Sequence, residues 1–136
     1  MPQTIIPYLL YEDAGAALEW LARAFGFREE MRMDEDAGRV AHAEMDVGAG
    51  ARVFMGAPGG DYRGPGRLGT RTALVYLYVD DVDAHCARAR EAGAEIVEEP
   101  ADQPYGERRY AAADLEGQHW YFAAPLAGAG EASGGE

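Results

Sequence analysis

Two kinds of hydrophobic spacing follow one another along this chain, and the same succession occurs twice. Ile5–Tyr11 is a short apolar run that stops at Glu12-Asp13, which predicts a strand leading into a helix cap. Ala14, Ala17, Leu18, Leu21, Ala24 and Phe25 then recur at helical steps, and Gly26 supplies the stop. Phe27–Met33 reads as a second strand, Arg39–Val47 alternates with period two, and Arg52–Gly56 closes the unit as a short strand. In the second half Thr72–Val79 is a strand, Asp81 a cap, and Val82–Ala92 a helix stopped by Gly93. Ala94–Glu98, Arg108–Ala113 and Gln118–Ala123 read as three further strands.

Shifting the first half by 67 or 68 positions puts Asp13 on Asp81, Gly26 on Gly93, Gly38 on Gly106, Asp46 on Asp114 and Pro58 on Pro125. A repeat this long is a duplicated supersecondary unit whose copies bury their faces against each other. The pattern predicts one α+β domain over residues 1–126, with one β-α-β-β-β module at 4–58 and another at 72–125. The intervening stretch, 59–71, is rich in Gly, Pro and Arg and reads as a long surface loop. Residues 127–136, AGAGEASGGE, have too little apolar content for a core and are expected to be a disordered tail.

Composition narrows the function. At 136 residues and 48% hydrophobic, the chain is long enough for one ordinary core. A net charge of −12, from 24 acidic and 12 basic side chains, repels nucleic acid and anionic membrane and attracts cations. One cysteine, Cys86, allows no internal disulfide and suits a reducing compartment. No apolar run reaches membrane-spanning length, and none follows Met1-Pro2 as a leader would. The expectation is a cytoplasmic protein with neither nucleic-acid nor membrane partner.

YEDAGAALEWLARAFGF in the first copy, and VDDVDAHCARAREAGAEIVEEP and PYGERRYAAADLEGQHWYF in the second, carry a family resemblance. In this order, over about residues 4–125, the chain resembles the glyoxalase/bleomycin resistance protein/dioxygenase superfamily, the vicinal-oxygen-chelate fold. Its DLEG segment has Leu115 where the family commonly has proline, and GRVAHAEMDVG is similar to PhnB-like members. The resemblance implies two modules forming a cup-shaped, partly closed mixed sheet. In metal-using members each module's first strand supplies a His and its last a Glu. Here those slots fall at Ile6, Leu74, near Val53 and at Tyr121, so the usual metal site is expected to be absent, and no cofactor is expected. The bleomycin-resistance type sequesters a cationic antibiotic in an acidic, aromatic-lined groove of a homodimer, with no reaction. That implies antibiotic resistance as one role.

Strand alternation assigns faces. Ala41, Ala43, Met45 and Val47 should face the helix, with Val40, His42, Glu44 and Asp46 toward the concave side. The same parity puts Val75, Leu77, Val79, Trp120 and Phe122 in the core. It puts Ile6, Tyr8, Leu10, Leu74, Tyr76, Tyr78, His119, Tyr121 and Ala123 in the cup, and repeat correspondence adds Tyr110. The expected ligand-binding set is therefore Tyr8, His42, Glu44, Tyr76, Tyr78, Tyr110, His119 and Tyr121. Tyrosines around a concavity suit a planar or cationic small molecule, although each also serves as filler between modules. His42 and Glu44 share a face as a candidate acid–base pair or a polar ion pair. His85 is expected to be solvated and Cys86 to be a small buried hydrophobe. One of Arg108 and Arg109 could clamp an anion, or both could pair with the acidic surface. The functional expectation is a metal-independent small-molecule-binding homodimer. The alternatives are a lyase- or isomerase-type enzyme with a relocated metal or a His42/Glu44 acid–base pair, and a structural domain with a filled cup.

Overall fold

The element order in the computed structural model, which describes Gln3 and residues 5–127, is two copies of one succession. The first is β1 (Tyr8–Leu10), α1 (Ala14–Phe25), β2 (Arg28–Asp34), β3 (Val40–Gly48) and β4 (Ala51–Gly56). A single-turn helix, α2 (Pro65–Leu68), lies in the inter-module stretch. The second copy is β5 (Val75–Tyr78), α3 (Val82–Glu91), β6 (Glu95–Asp102), β7 (Glu107–Ala113) and β8 (His119–Pro125). Asp13 and Asp81 cap their helices, accepting from the Ala16 and Ala84 backbone N–H at 3.0 Å each. Gly26 ends α1 in the left-handed region at φ 78°, where a side chain would be strained. The first strand of each module is shorter than its apolar run: Pro7 has no N–H to give a ladder, and only its carbonyl joins, accepting from Phe54. The disorder expected of the tail falls largely on 128–136, which lie outside the described residues.

The strands form two four-stranded mixed sheets, ordered β1-β4-β3-β2 and β5-β8-β7-β6, each parallel at its β1/β4 or β5/β8 pair. The α+β class and the module succession are as expected, and the mixed strands divide into two four-stranded sheets that do not close onto one another in this chain. One apolar cluster takes the helix-facing sides of both, with Ala43, Met45, Val53 and Met55 from one and Tyr110, Ala112, Trp120 and Phe122 from the other. Leu18, Leu21 and Phe25 of α1 and Val82, Cys86 and Ala89 of α3 fill the space between. The opposite faces look outward, leaving Tyr8 47% and Tyr78 60% exposed.

Register shifts interrupt the ladders at Glu29/Met31, Met33/Asp34, Asp46/Gly48, Ile96/Glu98 and Glu98/Ala101, and the one at Met33/Asp34 changes the reading of the faces. Met33 pairs with His42 and the next residue, Asp34, with Val40, so Ala41 is an extra residue in β3. This bulge reverses the face of what precedes it, and Val40, expected in the cup, is buried in the core. The same extra residue displaces the repeat. Glu44 pairs with Phe54 as Ala111 pairs with Tyr121, so beyond the bulge the offset is 67, and His42 corresponds to Arg109. Tyr110, expected in the cup, pairs with Phe122 and is fully buried.

Polar bonds tie the modules where the helices meet the turns. Asp114, at 6% exposure, accepts from Tyr11 Oη (2.7 Å), Trp120 Nε1 (3.0 Å) and the backbone N–H groups of Glu116 and Gln118. Glu116 accepts from the Glu12 and Asp13 amides at the start of α1, at 2.7 and 2.9 Å. Gly117, at φ 90°, lies so close to α2 that an added Cβ would sit 2.6 Å from the Gly66 nitrogen. His85, expected in solvent, is instead a module junction. Its Nε2–H donates to the Phe25 carbonyl at 2.9 Å, which leaves Nδ1 to accept from Tyr110 Oη at 2.6 Å. Arg88 donates to the Ala22 and Arg23 carbonyls at the open end of α1.

Two stability changes follow. Burial, seconded by the Arg88 charge, pushes the His85 imidazole from 6.5 down to about 4, opposed by its bond to the Phe25 carbonyl. Between those values the unfolded chain binds a proton that the folded chain refuses, so stability falls as pH drops through that window. From pH 7 to 4.5 the loss due to this residue should be about 2–3 kcal/mol. In urea unfolding at both pH values, His85→Gln should lose less stability on acidification than the parent; equal losses would show that His85 does not drive the effect. Tyr11→Phe should cost about 1–2 kcal/mol at pH 7, because Asp114 keeps its three other donors.

Candidate functional site

On the outward face of the second sheet, the parallel register of β5 and β8 sets Tyr76 beside Tyr121, rings stacked at 13° and 6.1 Å. Tyr78 follows on the same side by alternation, its ring edge-on to Tyr76 at 6.0 Å. Both hydroxyls donate to one carboxylate, Glu107 at the start of β7, at 2.6 Å to each oxygen. Two residues on, Arg109 donates to Glu98 Oε1 at 3.0 Å and to Tyr105 Oη at 2.9 Å, and lies 5.0 Å from the Tyr121 ring centre. Its Nε is buried without a partner among the described residues. Desolvation, then the bond to Glu107, raises the Tyr76 pKa; for Tyr78 the bond to Glu107 leads and desolvation follows. Both phenols therefore remain donors, and together they present a clamped anion on an aromatic surface.

The outward face of the first sheet carries a linear chain of polar groups. Tyr8 Oη is 2.9 Å from His42 Nδ1, and His42 Nε2 is 2.9 Å from Glu44 Oε2. With Nε2–H donating to the carboxylate, Nδ1 of a neutral ring accepts from the Tyr8 hydroxyl. Phe54 packs edge-on against both rings, 5.1 Å from His42 and 6.3 Å from Tyr8. The partially exposed thioethers of Met31 and Met33 stand across the ladder from Glu44 and His42.

The eight residues expected to bind ligand thus divide. Tyr8, His42 and Glu44 meet on the first sheet, and Tyr76, Tyr78 and Tyr121 on the second. His119 shares the Tyr121 face two residues earlier, at the mouth of a groove of about 390 Å³ with Arg71, Thr72, Ala73 and Leu74. Tyr110 joins neither group. Glu98, Tyr105, Glu107 and Arg109 were absent from the expected set, yet they hold the second face together. Period two in β7 links Glu107, Arg109 and Ala111 once the bulge in the other module is counted. Arg108 pairs instead with Asp83 and Asp102 on the surface.

The family's divalent metal does not suit these residues. Tyr121 and Phe54 are the structural counterparts at the last-strand slots, while Val53, the expected slot, faces the core. Ile6 and Leu74 at the first-strand slots have no donor atoms in their side chains. Among the described residues no three His, Cys, Asp or Glu side chains converge as a metal would require.

No helix among the described residues is long and apolar enough to cross a membrane. An uncharacterised protein of Mycobacterium bovis is 33% identical over 125 residues, covering 88% of this chain and 82% of its own length. The crystal structure of TioX from Micromonospora sp. ML1 is similar at 35% identity and a TM-score of 0.73, covering 92% of this chain and all of TioX. TnmS3 from Streptomyces sp. CB03234, described as an antibiotic binding protein, shares the fold at 22% identity and a TM-score of 0.62, covering 92% and 98%. The Glyoxalase/Bleomycin resistance protein/Dioxygenase superfamily model matches residues 5–122, and with two folded repeats spanning that range the chain belongs to this superfamily.

Proposed function

We propose that this protein is a metal-independent binder that captures a planar, cationic aromatic compound, acting in the cytoplasm as a homodimer. The observation that carries the reading is the Glu107 carboxylate clamped between the Tyr76 and Tyr78 hydroxyls on an uncovered aromatic face. A cation stacked on those rings meets both their negative faces and a formal charge. The net charge of −12 would draw such a ligand in from a distance. The description of TnmS3 as antibiotic binding supports capture as a use of this scaffold, without lending it any residue.

The dimer follows from what one chain leaves open. Each sheet buries one face in the shared core, and Tyr8, Leu10 and Met33 on one outward face and Leu74, Tyr76 and Tyr78 on the other remain exposed. A second copy related by two-fold symmetry could place its second-sheet face over this chain's first-sheet face, making two equivalent grooves. Another reading, a proton-transferring lyase or isomerase, rests on the Tyr8–His42–Glu44 chain. It requires a turnover that His42→Ala abolishes while ligand binding persists.

Titrating the planar cation proflavine by fluorescence should show micromolar binding that weakens with added salt, and sedimentation should show a dimer. Glu107→Gln should weaken binding about tenfold, roughly 1.4 kcal/mol. Undiminished binding by that variant, or one tightly held metal per chain by mass spectrometry, would sink the reading. The same substitution removes one of the causes that raise both phenols' pKa, the bond to the Glu107 carboxylate, which leads for Tyr78 and follows desolvation for Tyr76. The ultraviolet signal of tyrosinate should therefore appear at lower pH in Glu107→Gln than in the parent, and coincident titration curves would deny Glu107 that role.

A further inference from the structure

The inter-module loop concentrates positive charge in an otherwise acidic chain: Arg63, Arg67 and Arg71 lie within nine positions. Arg67 is held by Glu12 at 2.8 Å. Arg63 and Arg71 form no ion pair among the described residues. They line two adjoining grooves of about 390 and 210 Å³ that share Arg71, Thr72 and Ala73. Gln118 shapes the wall between them, donating to the Ala73 and His119 carbonyls. His119 closes the larger groove. Its imidazole is held below its usual value first by desolvation and then by the Arg71 charge, with Glu95 and Asp114 pulling the other way. That Glu95 stands in the same row, paired through Ala113 to His119.

This basic groove is the continuation of the tyrosine face. Leu74 precedes Tyr76 by two residues, and His119 precedes Tyr121 by two on the same side of β8, a separation of about 7 Å. An aromatic system stacked on Tyr76 and Tyr121 would have the Glu107 carboxylate toward one end and the Arg71 and Arg63 guanidiniums toward the other. Guanidinium groups pair carboxylates and phosphates through two parallel hydrogen bonds, and the Thr72 hydroxyl adds a donor.

We propose that the occupant of the tyrosine face is bipolar: a planar aromatic cation that also bears a carboxylate or comparable anionic group, seated by Arg71, Arg63 and Thr72 beside His119. The assignment rests on the cation-binding reading above and deepens it. It divides recognition between an acidic end, at Glu107, and a basic end, at Arg63 and Arg71, of one face and excludes purely cationic dyes from the tightest binding.

The test uses a cationic aminoxanthene dye with a free benzoate and the methyl ester of that dye, each followed by fluorescence polarisation at low salt. The acid should bind at least about tenfold more tightly than the ester, the scale of one charge-assisted contact. The double variant Arg63→Ala/Arg71→Ala should lose that preference by binding the acid more weakly, while it binds the cationic ester at least as tightly as the parent does. Equal affinity of the parent for the two dyes, both weakened by Glu107→Gln, would overturn the bipolar assignment and leave the cation-binding reading standing. A preference that survives in the double variant would overturn the location of the anion seat. Failure of both dyes to bind would overturn both proposals together.

Discussion

The arrangement depends on a buried carboxylate. Asp114 sits in the core with four donors, one from the other module's Tyr11, one from Trp120 and two from its own turn. An ionised carboxylate taken from water without partners would cost many kcal/mol, and here desolvation raises its pKa while all four hydrogen bonds oppose the shift. Satisfying it requires the β7–β8 turn to press against the end of β1, which also brings Glu116 onto the first amides of α1. Glu12 in turn holds Gly64 and Arg67, so the inter-module segment is anchored at the same point. His85 and Arg88 close the opposite end of α1.

With both helices sandwiched against the helix-facing sides of the sheets, the outward faces are fixed as a consequence. A core satisfied from both sides leaves Tyr76, Tyr78, Tyr8 and Met33 outside it and exposed. The Tyr76 and Tyr78 hydroxyls are committed to Glu107 and that of Tyr8 to His42, which leaves the rings of Tyr76 and Tyr78 exposed as a group. Hydrogen bonding therefore organises the surface, which in the proposed reading would leave stacking and charge for recognition.

How much of this was legible varied with the kind of signal. The caps at Asp13 and Asp81, the stop at Gly26 and the core parity of Ala43, Met45, Trp120 and Phe122 follow from local chemistry, and these stand as read. The bulge at Ala41 has no such signature, since an alanine among alternating residues looks like any other helix-facing position. Missing it moved Val40 to the wrong face and put Tyr110 where Arg109 belongs. His85 was misjudged because its partners, Phe25 and Tyr110, lie in another module and another strand, and spacing along α3 says nothing about either. Glu98 and Glu107 were not singled out because their tyrosine partners come from strands distant in sequence, β8 for Glu98 and β5 for Glu107.

The duplicated faces have diverged in complementary directions. At equivalent positions the first sheet carries Tyr8, His42, Glu44 and Phe54, and the second Tyr76, Arg109, Ala111 and Tyr121. Two identical faces brought together by a two-fold axis would oppose like charge to like. In the proposed dimer unlike faces would avoid this: an acid on one would meet a guanidinium on the other, and the small Ala111 would leave room for Glu44. Duplication supplied a symmetric frame, and divergence at these positions would give each groove of the proposed dimer two chemically different walls. A ligand between such walls would have only one favourable orientation, which is the condition for selecting an asymmetric, bipolar molecule over a symmetric one.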